Sequence, residues 1–75
     1  MPKLRRVSGE AAIRALERLG FVPIRQRGSH VTLKRTTDAG TVGCTVPIHE
    51  ELAIGTLRGI LRQAKVTPDE FMANL

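Results

Sequence analysis

Hydrophobic residues first recur at helical spacing near the start of the chain. They are Ala12, Ile13, Leu16 and Leu19. Ser8 precedes them as a candidate N-cap. Gly20 stands where helices commonly end in the left-handed conformation. The pattern predicts a helix over about residues 9–19.

Three short segments rich in β-branched residues follow, over residues 21–27, 30–35 and 41–46. Pro23 cannot donate to a β-ladder, so the first strand is expected at a sheet edge. Gly28-Ser29 suits a tight type II′ turn between the first two strands. Residues 36–40 are typical of a second turn. The pattern therefore predicts two consecutive hairpins.

A second apolar stripe runs at helical spacing from Ile54 to Ala64. Beyond it, Thr67 and Glu70 have the spacing of a capping box, with Pro68 at the first helical position. These signals predict a second helix and a short C-terminal helix.

The resulting order, α-β-β-β-α plus a short last helix, predicts an α+β fold with both main helices on one face of a three-stranded antiparallel sheet. Strand alternation then assigns each side chain to a face. Expected against the helices are Val22, Ile24, Val31, Leu33, Val42, Cys44 and Val46. Expected on the open face are Arg25, His30, Thr32, Lys34 and Thr45. The open face is thus predicted to be basic and to carry one histidine.

Length and charge narrow the class of protein. Seventy-five residues suit a single domain, residues 1–75. The formal net charge of +5 favours an acidic partner, which could be RNA, DNA, an acidic protein or an anionic membrane surface. The apolar runs are too short to cross a bilayer, so we expect no membrane partner. Cys44 is the only cysteine, which excludes an internal disulfide and suits the cytoplasm. With only two aromatic residues, any nucleic acid is expected to bind through backbone charge and shape.

The predicted basic face has the groups needed to cut RNA. Cleavage requires a base for the 2′-hydroxyl proton, an acid for the leaving 5′-oxygen, and cations beside the phosphate. Histidine suits proton transfer because its charge changes between about pH 5 and 8. Arg25, Arg27 and Lys34 are predicted near His30 and suited to hold the phosphate. A backbone amide of Gly28 or Ser29 is a further candidate donor.

Less specific interpretations of the same residues stay open. A lone exposed histidine is more often an ordinary surface residue, and the cations then form a solvated face. The chain would in that case be a non-catalytic RNA-binding module, or a small protein that docks an acidic partner. His49 is a candidate second proton-transfer group, although an ordinary loop histidine has the same signature.

Metal and DNA binding find little support. His30, His49 and Cys44 lack any recognised metal-ligand spacing, so we expect no metal and no cofactor. Cys44 is expected to pack as a small hydrophobic residue. No helix-turn-helix pattern is present, so we expect no direct DNA binding by this chain alone.

Several motifs occur together in one order along the chain. They are Gly20-Phe21, Arg25-Gln26-Arg27-Gly28-Ser29-His30, Val46-Pro47-Ile48-His49, Gly55-Thr56-Leu57-Arg58-Gly59-Ile60-Leu61 and Glu70-Phe71. In this order and spacing, the chain resembles the HicA (YcfA-like) toxin family of mRNA interferases.

This resemblance carries its own expectations. It implies a fold like the double-stranded-RNA-binding domain, and the toxin of a type II toxin–antitoxin pair. It further implies a metal-independent endoribonuclease that cleaves mRNA, inhibits translation and growth, and is neutralised by a HicB-like antitoxin. The family's catalytic histidine corresponds to His30, and the match at Gly28 and Ser29 implies a shape role for the turn. Individual roles for Arg25, Arg27 and Lys34 rest on charge and alternation alone.

Overall fold

The structure, a computed structural model, describes residues 4–75 as a sheet layer and a helix layer. In chain order the elements are α1 (Gly9–Arg18), β1 (Val22–Arg27), β2 (His30–Thr37), β3 (Gly40–Pro47), α2 (Ile54–Ala64) and α3 (Pro68–Ala73). The strands are antiparallel in the order β1-β2-β3. The predicted α+β architecture, like that of the double-stranded-RNA-binding domain, is confirmed, and β1 does lie at an edge.

Both helix starts that were predicted from capping residues are present. The Ser8 hydroxyl accepts a hydrogen bond from the Ala11 amide at 3.0 Å, which fixes the first turn of α1. At α3, the Thr67 hydroxyl accepts from the Glu70 amide while the Glu70 carboxylate accepts from the Thr67 amide. This reciprocal pair satisfies two amides that a helix start would otherwise leave unbonded.

The core lies between the helices and one face of β2 and β3. Its buried members are Ala12, Ala15, Leu16, Phe21, Val31, Leu33, Cys44, Val46, Leu52, Leu57, Ile60, Leu61, Ala64, Val66 and Phe71. Alternation correctly predicted the four of these that come from β2 and β3. Within residues 4–75 no charged residue is fully buried, although Arg35 is half-buried. No helix in that range is long and apolar enough to span a membrane.

The prediction that Val22 and Ile24 face the helices is wrong, since their side chains are 59% and 52% exposed. An unbroken ladder from the Arg27–His30 pair would place Ile24 opposite Leu33 on the inner face. Instead, a β-bulge between Pro23 and Arg25 places Pro23 opposite Leu33 and Val22 opposite Lys34. A bulge adds one residue to one strand, which reverses the alternation beyond it. Phe21 occupies the core in place of Val22.

The buried thiol of Cys44 packs behind the sheet, as predicted for a small hydrophobic residue. Burial raises the pKa of the Cys44 thiol to about 11, because desolvation disfavours the thiolate. The thiol is therefore protonated at neutral pH and is not available as a nucleophile.

The capping box of α3 should make stability depend on pH. The pKa of Glu70 lies below its ordinary value, chiefly because the carboxylate accepts the hydrogen bond from the Thr67 amide. Ionised Glu70 therefore stabilises the fold above the pKa of the unfolded chain, and this stabilisation is lost as pH falls through the lower folded value.

We expect Glu70→Gln to be less stable than wild type at pH 7, with the difference shrinking below about pH 4.5. Glutamine retains an oxygen that can accept the cap hydrogen bond, so the comparison isolates the charge. Urea unfolding at both pH values measures it. A difference that is constant or that widens in acid would contradict this account.

Candidate active site on the open face of the sheet

The site is organised by the two-residue turn between β1 and β2. Gly28 has φ +54°, whereas Ser29 has none of the positive φ that a type I′ turn would need, in agreement with a type II′ turn. Arg27 and His30 flank the turn and lie directly opposite each other. The turn thus places a guanidinium-bearing residue and an imidazole-bearing residue as neighbours across two strands.

His30 begins β2 and is exposed. Its other cross-strand partner is Pro47 of β3. Opposite residues of an antiparallel pair share one face, and successive residues alternate between faces. The imidazole therefore lies on the face that the helices leave uncovered, within reach of a polynucleotide.

The next row of the open face continues this polar surface. Arg25 pairs with Thr32, and Thr32 pairs in turn with Thr45. The two threonine hydroxyl oxygens are 3.4 Å apart, within hydrogen-bond distance. Arg25 thus lies one row from His30, on the same side as Arg27.

Lys34 lies farther along the same face. It is four residues from His30 on β2, which corresponds to about 13 Å at ~3.3 Å per residue. Gly43 lies opposite, and a Cβ there would come within 3.4 Å of the Lys34 Cγ, so the lysine stem packs over the bare glycine. The sequence predicted Lys34 near His30, whereas the structure separates the two by one intervening row of the open face, that of Arg25, Thr32 and Thr45.

Backbone hydrogen bonds connect the turn to the loop after β3 and to the start of α1. The Ile48 amide donates to the Ser29 carbonyl at 2.6 Å, and the Gly9 amide donates to the His49 carbonyl at 2.8 Å. These bonds connect the turn to the first residue of α1 through the loop that carries His49. The structure therefore brings the backbone of His49 beside the turn, with its side chain exposed.

The cations of the open face have no acidic neighbours on their own strands. β1, β2 and β3 contain no Asp or Glu. In the part of the chain that the structure describes, the ion pairs are Arg6–Glu51 and Arg14–Glu10, both outside the sheet. The positive charge of this face is therefore left for an external anion.

A small concavity of about 250 Å³ lies beside the site, at the loop after β3. It is lined by Ser8, Glu10, Ile48, His49 and Glu50. Its two carboxylates make it a poor site for a phosphate, in contrast to the sheet. Among residues 4–75, no group of three or more His, Cys, Asp or Glu side chains is arranged to hold a metal ion.

Sequence reasoning missed two residues that hold the sheet against the helix side and the loop after β3. Arg35 lies on the helix side, where its guanidinium donates to the Leu19 carbonyl at 3.0 Å and lies 4.9 Å from the centre of the Phe21 ring. Strand alternation offered a signal, since Arg35 follows the outward-facing Lys34. For Gly9 the sequence held no signal, because its role depends on a contact with the end of β3.

An open three-stranded sheet backed by helices on one side only, with an exposed histidine among cations, defines a small basic α+β domain suited to polyanions. Residues 9–66 match the family described as HicA toxin of bacterial toxin–antitoxin, which covers well over half of the chain. The chain therefore belongs to the HicA toxin family, and the family predicted from its motifs is confirmed. A comparison with curated proteins found no match.

We expect Gly9→Ala to lower the free energy of unfolding by about 1–3 kcal/mol, the usual cost of overpacking. A methyl group at Gly9 would overlap the Pro47 carbonyl oxygen and lie 2.9 Å from Ile48 Cα, both backbone atoms. Gly59→Ala in α2 is the matched control, since a Cβ there meets nothing within 4 Å.

The free energy of unfolding of Gly59→Ala should equal that of wild type or exceed it by up to about 1 kcal/mol, because alanine favours a helix more than glycine does. Urea unfolding measures both variants. Equal stability of Gly9→Ala and wild type would show that α1 is not held against β3 by this close approach.

Proposed function

We propose that this toxin is a metal-independent endoribonuclease that cleaves mRNA and thereby inhibits translation and growth. The observation that carries the proposal is the placement of His30. It lies exposed at the start of β2, directly opposite Arg27, on strands that contain no carboxylate. Membership of the toxin family supports a role in growth arrest.

The proposed reaction uses the RNA's own 2′-hydroxyl as nucleophile. His30 accepts its proton, the 2′-oxygen forms a bond to the adjacent phosphorus, and the bond from phosphorus to the 5′-oxygen breaks. The imidazolium then returns a proton to the leaving 5′-oxygen. The products are a 2′,3′-cyclic phosphate and a 5′-hydroxyl, so one histidine is sufficient to balance the protons. The alternative source of the proton for the leaving 5′-oxygen is His49 or a group of the substrate, because Lys34 lies about 13 Å from His30 at ~3.3 Å per residue.

The remaining groups bind and orient the phosphate. Arg27 and Arg25 are assigned to the scissile phosphate because they occupy the row of His30 and the next row. Guanidinium groups stabilise the charge that accumulates on the phosphoryl oxygens. Gly28 and Ser29 shape the turn, and Lys34 binds a neighbouring phosphate. These steps need no metal and no cofactor.

The antitoxin and the location complete the proposal. We assign neutralisation to a HicB-like antitoxin that covers His30 and part of the basic face, since the same cations attract an acidic protein. We assign the toxin to the cytoplasm, where mRNA is available as substrate; a single cysteine without a disulfide partner in the chain suits that compartment. This chain alone is not expected to bind DNA.

His30→Ala should retain the fold and lose at least about a hundredfold in the rate of RNA cleavage measured in EDTA, since general acid–base catalysis typically contributes 10²–10⁴-fold. Because the side chain is exposed, the free energy of unfolding should change by less than about 0.5 kcal/mol. Gel analysis of a labelled RNA and urea unfolding give the two measurements.

The matched substrate control carries a single 2′-deoxynucleotide at a mapped cleavage position, where the wild-type toxin should not cut. A folded His30→Ala variant with full activity would remove His30 from the mechanism. Wild-type protein that shifts RNA on a gel without shortening it would instead indicate the non-catalytic RNA-binding module.

Arg25→Gln/Arg27→Gln should weaken RNA binding at every sequence and reduce the slope of log affinity against log salt by about 1–2, because two phosphate contacts to single-stranded RNA are lost. Binding is best measured in the His30→Ala background, where the RNA stays intact. Arg58→Gln/Arg62→Gln on α2 removes the same charge from another part of the surface. A similar loss of slope in both double variants would mean that general charge, rather than the open face, binds RNA.

A further inference from the structure

The two most exposed large hydrophobic side chains of residues 4–75 lie together on β1. Val22 and Ile24 are 59% and 52% exposed, whereas the next, Ile48, is 37% exposed. Single exposed hydrophobic residues are ordinary on protein surfaces. This pair is different because it lies on one strand, and because a break in strand register turns it outward.

The bulge beside this pair also disfavours the addition of another strand at this edge. Pro23, between the two side chains, has no amide hydrogen to donate, and the bulge interrupts the regular ladder there. Proline and bulges at an edge strand protect it from pairing with another sheet. Any partner at this edge therefore makes contact mainly through side chains.

Cations surround this hydrophobic pair. Val22 lies opposite Lys34 on the open face, and Arg25 follows Ile24 directly. The complementary surface is a hydrophobic centre with carboxylates at its rim. RNA supplies the negative charge but not the hydrophobic centre, because its contacts to such a face are made mostly by phosphate and sugar. A second copy of this chain does not fit, because each copy carries a net charge of +5 and would bring positive charge to a surface that needs carboxylates.

We propose that Val22 and Ile24 form a hydrophobic anchor at which the antitoxin binds this toxin. Carboxylates of the antitoxin would then pair with Lys34 and Arg25. The inference rests on the proposed toxin function, because it assigns the surface to the antitoxin. Val22 lies opposite Lys34, about 13 Å along β2 from His30 at ~3.3 Å per residue, whereas Ile24 directly precedes Arg25. Neither side chain of the pair is assigned to the RNA, so neutralisation and cleavage should be separable by mutation.

The test uses Val22→Thr/Ile24→Thr, because threonine keeps the β-branched shape that favours a strand while making the surface polar. The probe is the purified protein encoded by the reading frame adjacent to this gene, with binding measured by titration calorimetry. We expect the Kd to rise about tenfold to a hundredfold from the loss of buried aliphatic surface. The rate of RNA cleavage should change less than about twofold.

Leu75→Thr is the matched control, since Leu75 is also an exposed aliphatic residue and lies at the other end of the chain, beyond α3. Its affinity for the probe should equal that of wild type. In cells, Val22→Thr/Ile24→Thr should arrest growth even when the adjacent reading frame is co-expressed, whereas wild type should not. Circular dichroism checks the fold, and the single variant Val22→Thr serves if the double variant is unfolded.

Three results would overturn the anchor. They are an unchanged Kd in a folded variant, a parallel loss of cleavage and antitoxin binding, and a wild-type dimer that dissociates on substitution. The second would assign the pair to the RNA site, and the third to a contact between two toxin molecules. If wild-type protein cleaves no RNA but the variant still loses affinity for the probe, the proposed activity fails while the anchor stands.

Discussion

One-sided burial of the sheet is the constraint on which the rest of this structure depends. The helices cover only the inner faces of β2 and β3, where Leu33 and Val46 are fully buried in one cluster with Leu16 and Leu57. Burial of each such side chain contributes about 1.5–3 kcal/mol relative to exposure. Because 75 residues provide helices for only one side, the opposite face remains in water and is free to carry polar and charged groups.

On the open face, strand alternation determines which charged side chains are present, whereas contacts behind the sheet determine where the turn lies. Alternation along β1 and β2 places Arg27, Arg25 and His30 there without any contribution from the core. The position of the turn is set from behind, by the hydrogen bonds that lead from Ser29 through Ile48 and the loop to α1. A rigid inner layer thus supports an outer layer whose residues can be chosen for chemistry, as sites on well-packed elements require.

The bulge in β1 changes what the edge of the sheet can bind. A regular strand would have placed Ile24 opposite Leu33 on the inner face and left an uninterrupted edge able to pair with other sheets. The bulge and Pro23 disrupt that edge and present two aliphatic side chains among cations instead. Departures from the simple pattern are expected where a surface has a function beyond folding. Here one irregularity both interrupts the edge of the sheet and contributes to the side-chain surface that we assign to the antitoxin.

The sequence by itself determined the elements, their order and the open basic face, because these follow from local periodicity, capping residues and strand alternation. It also indicated His30, since the motif around Gly28 and Ser29 is local. The tertiary structure alone decided the register of β1, because a bulge depends on which side chain, Phe21 or Val22, the core admits. The same holds for the distance of Lys34 from His30 and for the role of Gly9, since contacts between distant segments leave no periodic trace in the chain.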